Sequence, residues 1–346
     1  MLFAIASRPE IALSYWGPPG DLPPNVKYLC SSADRTWLSA LLDRGGIAHL
    51  LRDGGIGGKL APLQLVWRLR RAYAGARSVD VVHANWLQTA LPLGRGHTPL
   101  LVTVLGTDFA LLKKSLVSRL LRGVFARRKT IIAPNAEWMV DELERLFGDI
   151  AEIRHIPFGI DPAWYGINRQ VSRTADVHRW LFVARLTRKK IGPLFSWGED
   201  FFTRGNHQLH IFGPMQEEIP LPSWVHYHGP THPQDLSENW FPTATGLITL
   251  SEHDEGRPQV MLEAMAAGLP IIASPLPAHT GLITHQESGW IARGKNDLAD
   301  GITWLADPVN NARVGETSRA SMRTNVGTWG DCAERYARAY QTLLGQ

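Results

Sequence analysis

The segment from residue 246 to residue 274 constrains the fold more strongly than any other part of the sequence. Two short apolar runs, "GLITL" (246–250) and "LPIIAS" (269–274), are typical of buried strands. The stretch between them is rich in helix formers, with Pro258 suited to the first helical position and Gly268 suited to a C-terminal cap. The order of strand, helix and strand predicts a βαβ unit with parallel strands.

Two glutamates interrupt this apolar segment. Glu255 precedes the predicted helix, and Glu263 lies inside it among apolar neighbours, where a carboxylate is costly unless it has partners. Ligands of βαβ units bind beyond the carboxyl ends of the strands, and helical side chains lean toward the helix N-terminus, so Glu263 can point toward Glu255. Two interpretations stay open: a ligand-binding pair, or a Glu255 that stabilises the helix dipole with Glu263 at the surface.

The same alternation of strands and helices continues through both halves of the chain. The segments 79–86, 99–108 and 130–136 are predicted as buried strands that end in polar loops, and the segments 34–45, 62–77, 110–128 and 137–147 as helices. The second half resumes the pattern with the segments 178–190, 207–214 and 225–230. The first 33 residues are ambiguous, with strands placed at 2–6, 11–16 or 27–31.

The chain therefore predicts an α/β fold of two Rossmann-like domains that face a cleft. We expect the first domain to span residues 1–166 and the second to span 167–328, with a hinge in the Pro- and Gly-containing stretch 156–176. A last helix at about 329–346 is placed back on the first domain as one option.

Composition excludes several classes of protein. The chain has two cysteines, Cys30 and Cys332, in no metal-ligand spacing, which favours a reducing compartment over a disulfide framework. Its 13 histidines show no zinc pattern, and no apolar run reaches the length of a membrane span. We find no nucleic-acid-binding module and predict no nucleic-acid partner. The oligomeric state is left open.

Positive charge is concentrated in the first half of the sequence. Residues 1–166 contain 20 Lys and Arg against 14 Asp and Glu, whereas residues 167–346 contain 16 against 18. The stretch 113–129 carries seven cations and no acid, and 65–77 carries four arginines with Trp67. Apolar residues at helical spacing beside Arg and Lys are typical of a helix on an anionic membrane surface. An ordinary amphipathic helix with a solvated basic face is the alternative.

The second half resembles the GT-B glycosyltransferases, in particular the retaining group called glycosyltransferase family 4. Glu255 and Glu263 reproduce a motif of two glutamates separated by seven residues, followed by "AMAAGLPIIAS". "VARLTRKKIG" resembles the motif in which an arginine and a lysine hold the donor diphosphate, here Arg185 and Lys190. The segment "IPFGIDP" resembles the hinge motif, with Phe158 in place of the usual asparagine.

The resemblance implies roles for individual residues. Glu255 would contact hydroxyls of the donor sugar, and Glu263 would hold the ribose hydroxyls of the nucleotide. Arg185 and Lys190 would stabilise the leaving diphosphate without a metal ion. The other residues placed at the donor are Gly256, Arg257, Pro258, Gln259 and Val260 in the loop and first helical turn, Gly213 in "LHIFGP", and Thr107 in "LGTD".

The first half departs from the family pattern. Leu105 stands where many members carry histidine, and His83-Ala84-Asn85 stands where they often have His-x-His. Asp108, at a predicted strand end, is our candidate for the catalytic group of this half, and a helix N-cap is the competing interpretation.

The sequence thus predicts a glycosyltransferase that moves a sugar from a nucleotide sugar, used as a substrate with no other cofactor. We expect a glycan or lipid-linked acceptor in cell-surface polysaccharide or glycolipid synthesis, with retention at the anomeric carbon. We expect a cytoplasmic protein, peripheral on the inner face of the plasma membrane. The alternatives are a nucleotide-sugar epimerase or hydrolase of the same fold, or a degenerate nucleotide-binding protein.

Overall fold

The computed structural model describes residues 1–44, 46, 56–75, 78–106, 108–170, 177–253 and 255–346, with side chains from residue 60 onward in the helix at 56–75. The chain divides into two compact units. Unit 1 consists of Met1–Phe158 and Gly330–Gln346, and unit 2 consists of Gly159–Trp329.

Unit 1 is built on parallel strands. A two-stranded pair and a four-stranded sheet in the order β3-β4-β5-β6 make up its β-structure. These strands are β1 (Ser14–Tyr15), β2 (Lys27–Tyr28), β3 (Val82–Asn85), β4 (Leu100–Val104), β5 (Thr130–Pro134) and β6 (Glu152–Ile153). The main helices are α1 (Leu2–Ala6), α2 (Ser32–Asp43), α3 (Ile56–Gly75), α4 (Ser115–Phe125), α5 (Val140–Phe147) and the C-terminal helix (Trp329–Leu344).

The core of unit 1 explains why its strands are continuous apolar runs. Every residue of β4 and β5 is buried, because helices cover both faces of a parallel sheet. The C-terminal helix belongs to this unit and is tied to the sheet by polar contacts. The hydroxyl of Tyr336 lies 3.0 Å from Oγ1 of Thr103, in the middle of β4.

Unit 2 contains a six-stranded parallel sheet in the order β12-β11-β10-β7-β8-β9. Its strands are β7 (His178–Val183), β8 (His207–Phe212), β9 (Val225–Gly229), β10 (Gly246–Thr249), β11 (Ile271–Ala273) and β12 (Trp290–Ile291). Its helices are α6 (Pro162–Tyr165), α7 (Arg188–Ile191), α8 (Leu194–Phe202), α9 (Pro233–Asp235), α10 (Gln259–Ala266), α11 (Pro277–Thr280), α12 (Lys295–Ala306) and α13 (Pro308–Asn325). The βαβ unit predicted over 246–274 is confirmed as β10, α10 and β11, with parallel pairing.

Two local predictions are wrong, and each has a physical reason. Of the three strand positions left open in the first 33 residues, 11–16 and 27–31 contain β1 and β2, whereas 2–6 forms helix α1. Five apolar residues carry no periodicity that separates a helix from a strand. Pro258 is the N-cap of α10 rather than its first residue, because its ψ of 115° is extended. Gly268 follows the helix with a φ of +69°, and its predicted capping position is confirmed.

Candidate active site

The strand order of unit 2 reverses beside its first strand. From β7 the chain proceeds outward to β8 and β9, and then returns to the other side of β7 to form β10. In open parallel sheets, ligands bind outside the carboxyl ends of the strands at such a switch point. The two loops that leave there are residues 184–187, after β7, and residues 250–258, after β10.

The loop after β7 places a row of cations at the switch point. Thr187 caps the short helix α7, with its side chain accepting from the backbone N–H of Lys190. Arg185 is exposed and Lys190 is partly buried. Gly192 ends the helix with a φ of +55°, and a Cβ atom there would collide with the carbonyl of Leu250. The glycine therefore allows the two loops to approach each other closely.

An ion pair joins the two loops. Nζ of Lys190 lies 2.5 Å from Oε1 of Glu255, and the two side chains are only 17% and 10% exposed. A second link is a backbone hydrogen bond of 2.7 Å from the N–H of Glu252 to the carbonyl of Lys189. The residues expected to serve the diphosphate and the sugar are therefore in direct contact.

Glu263 lies in the second turn of α10, between buried residues on both sides. The pKa of Glu263 is raised from 4.5 to about 7, because burial and the nearby charge of Asp161 outweigh the opposing effect of a hydrogen bond from Gln259. Gln259 also donates to the carbonyl of Gly159 over 3.3 Å. A carboxyl group with this pKa changes charge near neutral pH, so its ionisation responds to what binds beside it.

The loop before α10 leads into the helix N-terminus. Gly256 is buried, whereas Arg257, Pro258 and Val260 are partly buried. The backbone N–H groups at the start of a helix have no partner within the helix and favour an anion. The arrangement is suited to a phosphate group, with the cations of the β7 loop on its other side.

Gly213 follows β8, the strand adjacent to β7. Its φ is +130°, and a Cβ atom at this position would collide with the carbonyl of Ala184. Its N–H donates to the carbonyl of Gly229 over 2.8 Å, and its own carbonyl accepts from the hydroxyl of Tyr227 over 3.0 Å. The glycine keeps the backbone close to the β7 loop, and its predicted contact with the donor stays a prediction.

Two histidines of the site were missed by the sequence analysis. His253 lies in the β10 loop, and burial lowers its pKa, as do the positive charges of Lys190, Arg185 and Lys189, whereas Glu255 raises it. His279, on α11, is completely buried. Its Nδ1 lies 3.0 Å from the carbonyl of Ser274, so this nitrogen carries the hydrogen, and Nε2 has no hydrogen-bond partner among the described residues. No spacing in the sequence indicates either histidine.

A hydrogen-bond network holds the β10 loop against the neighbouring strand. The hydroxyl of Ser274, at the end of β11, donates to the carbonyl of Ser251 over 2.6 Å. The hydroxyl of Ser251 accepts from the N–H of His253 over 3.1 Å. The pKa of the buried His279 is lowered by burial, raised by Glu255 and lowered by Lys190, so its imidazole lies within electrostatic reach of the ion pair.

In unit 1, Asp108 is bound to the backbone. Its carboxylate is 1% exposed and accepts from the N–H groups of Leu87, Leu105 and Gly106, each over 2.9 Å. Burial raises its pKa, and these backbone hydrogen bonds lower it in part. Asp108 occupies the N-cap position of the 3₁₀-helix Phe109–Lys113, but its side chain makes no cap hydrogen bond there and binds other backbone N–H groups instead. Thr107 lies outside the described residues.

His83 is also bound within unit 1. Its Nδ1 lies 2.6 Å from the hydroxyl of Tyr340, on the C-terminal helix, and its Nε2 lies 2.7 Å from Oγ1 of Thr103. Burial lowers its pKa to about 4, so the ring is neutral at physiological pH. This histidine attaches the C-terminal helix to the sheet.

Two family models match the chain, one in each unit. The model described as a glycosyl transferase 4-like domain matches residues 29–159, and the model described as glycosyl transferases group 1 matches residues 178–307. The chain belongs to the group 1 glycosyltransferases. A search of curated protein sequences finds no match.

Solved structures show the fold of this group 1 glycosyltransferase. Sucrose-phosphate synthase from Thermosynechococcus elongatus is 19% identical with a TM-score of 0.64, covering 80% of this chain and 76% of its own. HepE from Anabaena, solved in complex with UDP and glucose, is 15% identical with a TM-score of 0.63, covering 92% and 91%. The lipopolysaccharide outer core galactosyltransferase WaaB, in its apo form, is 15% identical with a TM-score of 0.60, covering 82% and 81%. The predicted GT-B fold is confirmed.

The described residues were also considered as possible metal ligands and membrane spans. Within the described part of the chain, no group of three or more His, Cys, Asp or Glu side chains is arranged to hold a metal ion. None of the described helices combines the length and apolar character that a membrane span requires.

Proposed function

We propose that this group 1 glycosyltransferase, which transfers a sugar from a nucleotide sugar, delivers it to a glycan or lipid-linked acceptor at the cytoplasmic face of the plasma membrane. The transfer proceeds with retention, needs no metal ion and serves the synthesis of cell-surface polysaccharide or glycolipid. The observation that carries the donor part of the proposal is the contact between Lys190 and Glu255 at the switch point of the unit 2 sheet. One cation and one carboxylate there are matched to the two halves of a nucleotide sugar.

The proposed chemistry assigns each charge a task. The bond between the anomeric carbon and the β-phosphate oxygen breaks, and its electron pair stays on that oxygen. Lys190 and Arg185, together with the N-terminus of α10, stabilise the charge that develops on the leaving diphosphate. The acceptor hydroxyl attacks from the same face and gives its proton to the leaving phosphate oxygen, which accounts for retention. Glu255 accepts hydrogen bonds from hydroxyls of the sugar, and Glu263 accepts them from the ribose.

A donor and acceptor screen read by mass spectrometry tests this proposal. UDP sugars come first, because the fold likeness to the HepE complex with UDP supports a uridine nucleotide. Lipid-linked and free sugars serve as acceptors, with and without EDTA. A new glycoside formed in EDTA supports transfer without metal, and loss of activity in EDTA overturns that part. Donor isomerised or hydrolysed at full rate without acceptor would favour an epimerase or hydrolase.

The membrane part of the proposal rests on two helices of unit 1. Both α3 and α4 pack on the 3₁₀-helix Leu87–Leu93, and each exposes large apolar side chains. On α3, Leu63 and Trp67 are 66% and 54% exposed, and on α4, Leu116 is 65% exposed. Exposed leucine and tryptophan beside cations are the features of a helix that lies in a membrane interface.

The structure separates solvent-facing cations of this surface from structural ones. Arg128 is buried, and its guanidinium donates to the carbonyls of Val124 and Gly94, while Arg122 pairs with Asp149. Neither is suited to test membrane binding. Lys113, Lys114, Arg119 and Arg127 are exposed and make up the basic patch.

We expect co-sedimentation with vesicles of phosphatidylglycerol, little with phosphatidylcholine alone, and release at high salt. Changing the four residues of the basic patch to Gln should weaken binding by about 1 kcal/mol per charge. Changing Leu63 and Leu116 to Ser should weaken it without changing its dependence on salt. Wild-type protein that ignores anionic vesicles at low salt would indicate a solvated surface and a soluble acceptor.

A further inference from the structure

The two charged groups proposed to bind the donor are bound to each other. Lys190 and Glu255 approach to 2.5 Å, and both are largely withdrawn from water. A nucleotide sugar that engages Lys190 must draw it away from Glu255. Separating a buried pair is costly when one charge is left without a partner.

Among the described residues, His253, His279, Arg185 and Lys189 lie near this ion pair, and none of them is placed to replace Lys190. His253 lies within electrostatic reach of Glu255, but burial and the neighbouring cations lower its pKa. His279 lies within electrostatic reach, but its Nδ1–H is committed to the carbonyl of Ser274 and burial lowers its pKa. Arg185 and Lys189 are exposed to solvent. A ligand that takes Lys190 must therefore supply the new partner of Glu255 itself.

We propose that the Lys190–Glu255 ion pair makes the site discriminate in favour of the intact nucleotide sugar and against the bare nucleoside diphosphate. This inference rests on the roles proposed above for the two side chains. The intact donor replaces both partners, since its diphosphate binds Lys190 and its sugar hydroxyls bind Glu255. The bare diphosphate binds Lys190 alone and leaves Glu255 unpaired, so the ion pair opposes its binding.

The consequence for turnover is release of the product. After the sugar has left, re-forming the ion pair competes with the diphosphate for Lys190. The site thus holds its substrate more tightly than its product, although both carry the same nucleotide. Glu255 has two uses in this scheme: it orients the sugar before transfer and recovers Lys190 afterwards.

Calorimetric titration with UDP and GDP tests the inference on wild type, Glu255→Gln and a matched control, Glu252→Gln. Glu252 lies in the same loop and is exposed to solvent. For the diphosphate that the wild type binds, Glu255→Gln should bind about tenfold more tightly, which corresponds to about 1.4 kcal/mol. Glu252→Gln should leave the affinity within about twofold of wild type. An affinity for Glu255→Gln equal to or below that of wild type overturns the inference.

A second set of variants separates this inference from the proposed function. Lys190→Gln should weaken diphosphate binding, and an unchanged affinity would remove the proposed role of Lys190. Wild type that binds GDP but not UDP would overturn the proposed uridine nucleotide, and the test on Glu255 would then be made with GDP. Glu255→Asp keeps the charge but shortens the side chain, so its affinity for the diphosphate should fall between those of wild type and Glu255→Gln. It carries the same test if Glu255→Gln unfolds.

Discussion

The two main sheets of the protein use the polar groups at their strand ends differently. In unit 2, Lys190 and Glu255 are paired side chain to side chain, across loops that follow two adjacent strands. In unit 1, Asp108 is bound to three backbone N–H groups, and His83, within β3, is bound to Tyr340 and Thr103. A side-chain ion pair can be exchanged for a ligand, whereas a carboxylate that satisfies buried amides cannot leave them without cost.

A position at the carboxyl end of a parallel strand is therefore not sufficient to assign a residue to ligand binding. Whether a polar side chain is available to a ligand depends on the group to which it is already bound. By this criterion the exchangeable groups lie in unit 2, and Asp108 acts first as a support for the backbone at Leu105 and Gly106. Its predicted catalytic role stays a prediction.

The largest effect should come from Lys190→Gln. Removing a preorganised cation from the leaving diphosphate should lower the rate of sugar transfer by about 10²–10³. The rate of nucleoside diphosphate release measures this. Lys189→Gln is the matched control, since Lys189 is the adjacent exposed cation and should keep most of its activity. A rate of sugar transfer within fivefold of wild type would show that Lys190 does not stabilise the leaving diphosphate.

Asp108→Ala should cost about 3 kcal/mol of the free energy of unfolding of unit 1, because three buried N–H groups lose their acceptor. Urea denaturation measures the loss. Asp108→Asn, assayed where it is folded, separates support from catalysis. A transfer rate per folded molecule close to wild type supports the structural role. A large drop in rate with intact folding would favour a catalytic role for Asp108 instead.

Nucleotide affinity should depend on pH through Glu263. Because its pKa is raised to about 7, the carboxyl group is protonated in the ligand-free protein below that pH. Ribose hydroxyls donate to the ionised form, so affinity should fall about tenfold from pH 8 to pH 6. The phosphates of the nucleotide also titrate in this range, so the comparison is with Glu263→Gln. A profile identical to that variant would show that Glu263 does not bind the ribose.

The same pKa predicts how stability depends on pH. A carboxyl group whose pKa is raised in the folded state stabilises the fold fully below its unfolded pKa, near 4.5. This contribution is lost as pH rises through about 7. The unfolding of unit 2 in wild type should therefore become easier between pH 5 and pH 7 relative to Glu263→Gln, with little further change above pH 7.

The smallest effect should come from Tyr340→Phe. Loss of one hydroxyl from the contacts of His83 should cost about 1 kcal/mol. Thermal unfolding measures it, and a double-mutant cycle with His83→Phe isolates the pair. Diphosphate binding in unit 2 should stay unchanged. If the losses of unfolding free energy in the two single variants simply add in the double variant, His83 and Tyr340 do not stabilise each other.

Much of the architecture was accessible from the sequence. The βαβ unit around Glu255 and Glu263 followed from apolar runs and helix formers, and the parallel pairing of β10 with β11 confirms it. Short apolar runs were harder: residues 2–6 form a helix, since five residues do not distinguish a helical period from a strand. Arg128 was counted among the surface cations because charge patterns do not reveal which guanidinium is buried.

The sequence was sufficient to predict two α/β units, the segments that contain most of their strands, and the charged residues that follow those strands. These features depend on local periodicity and composition, which neighbouring residues express together. The hydrogen-bond and ion-pair partners of these residues depend on the tertiary structure. Lys190 meets Glu255, and Asp108 meets the N–H of Leu87, because the sheet order brings separate loops to the same edge. Whether a polar group is available to a ligand depends on those contacts between residues distant in sequence.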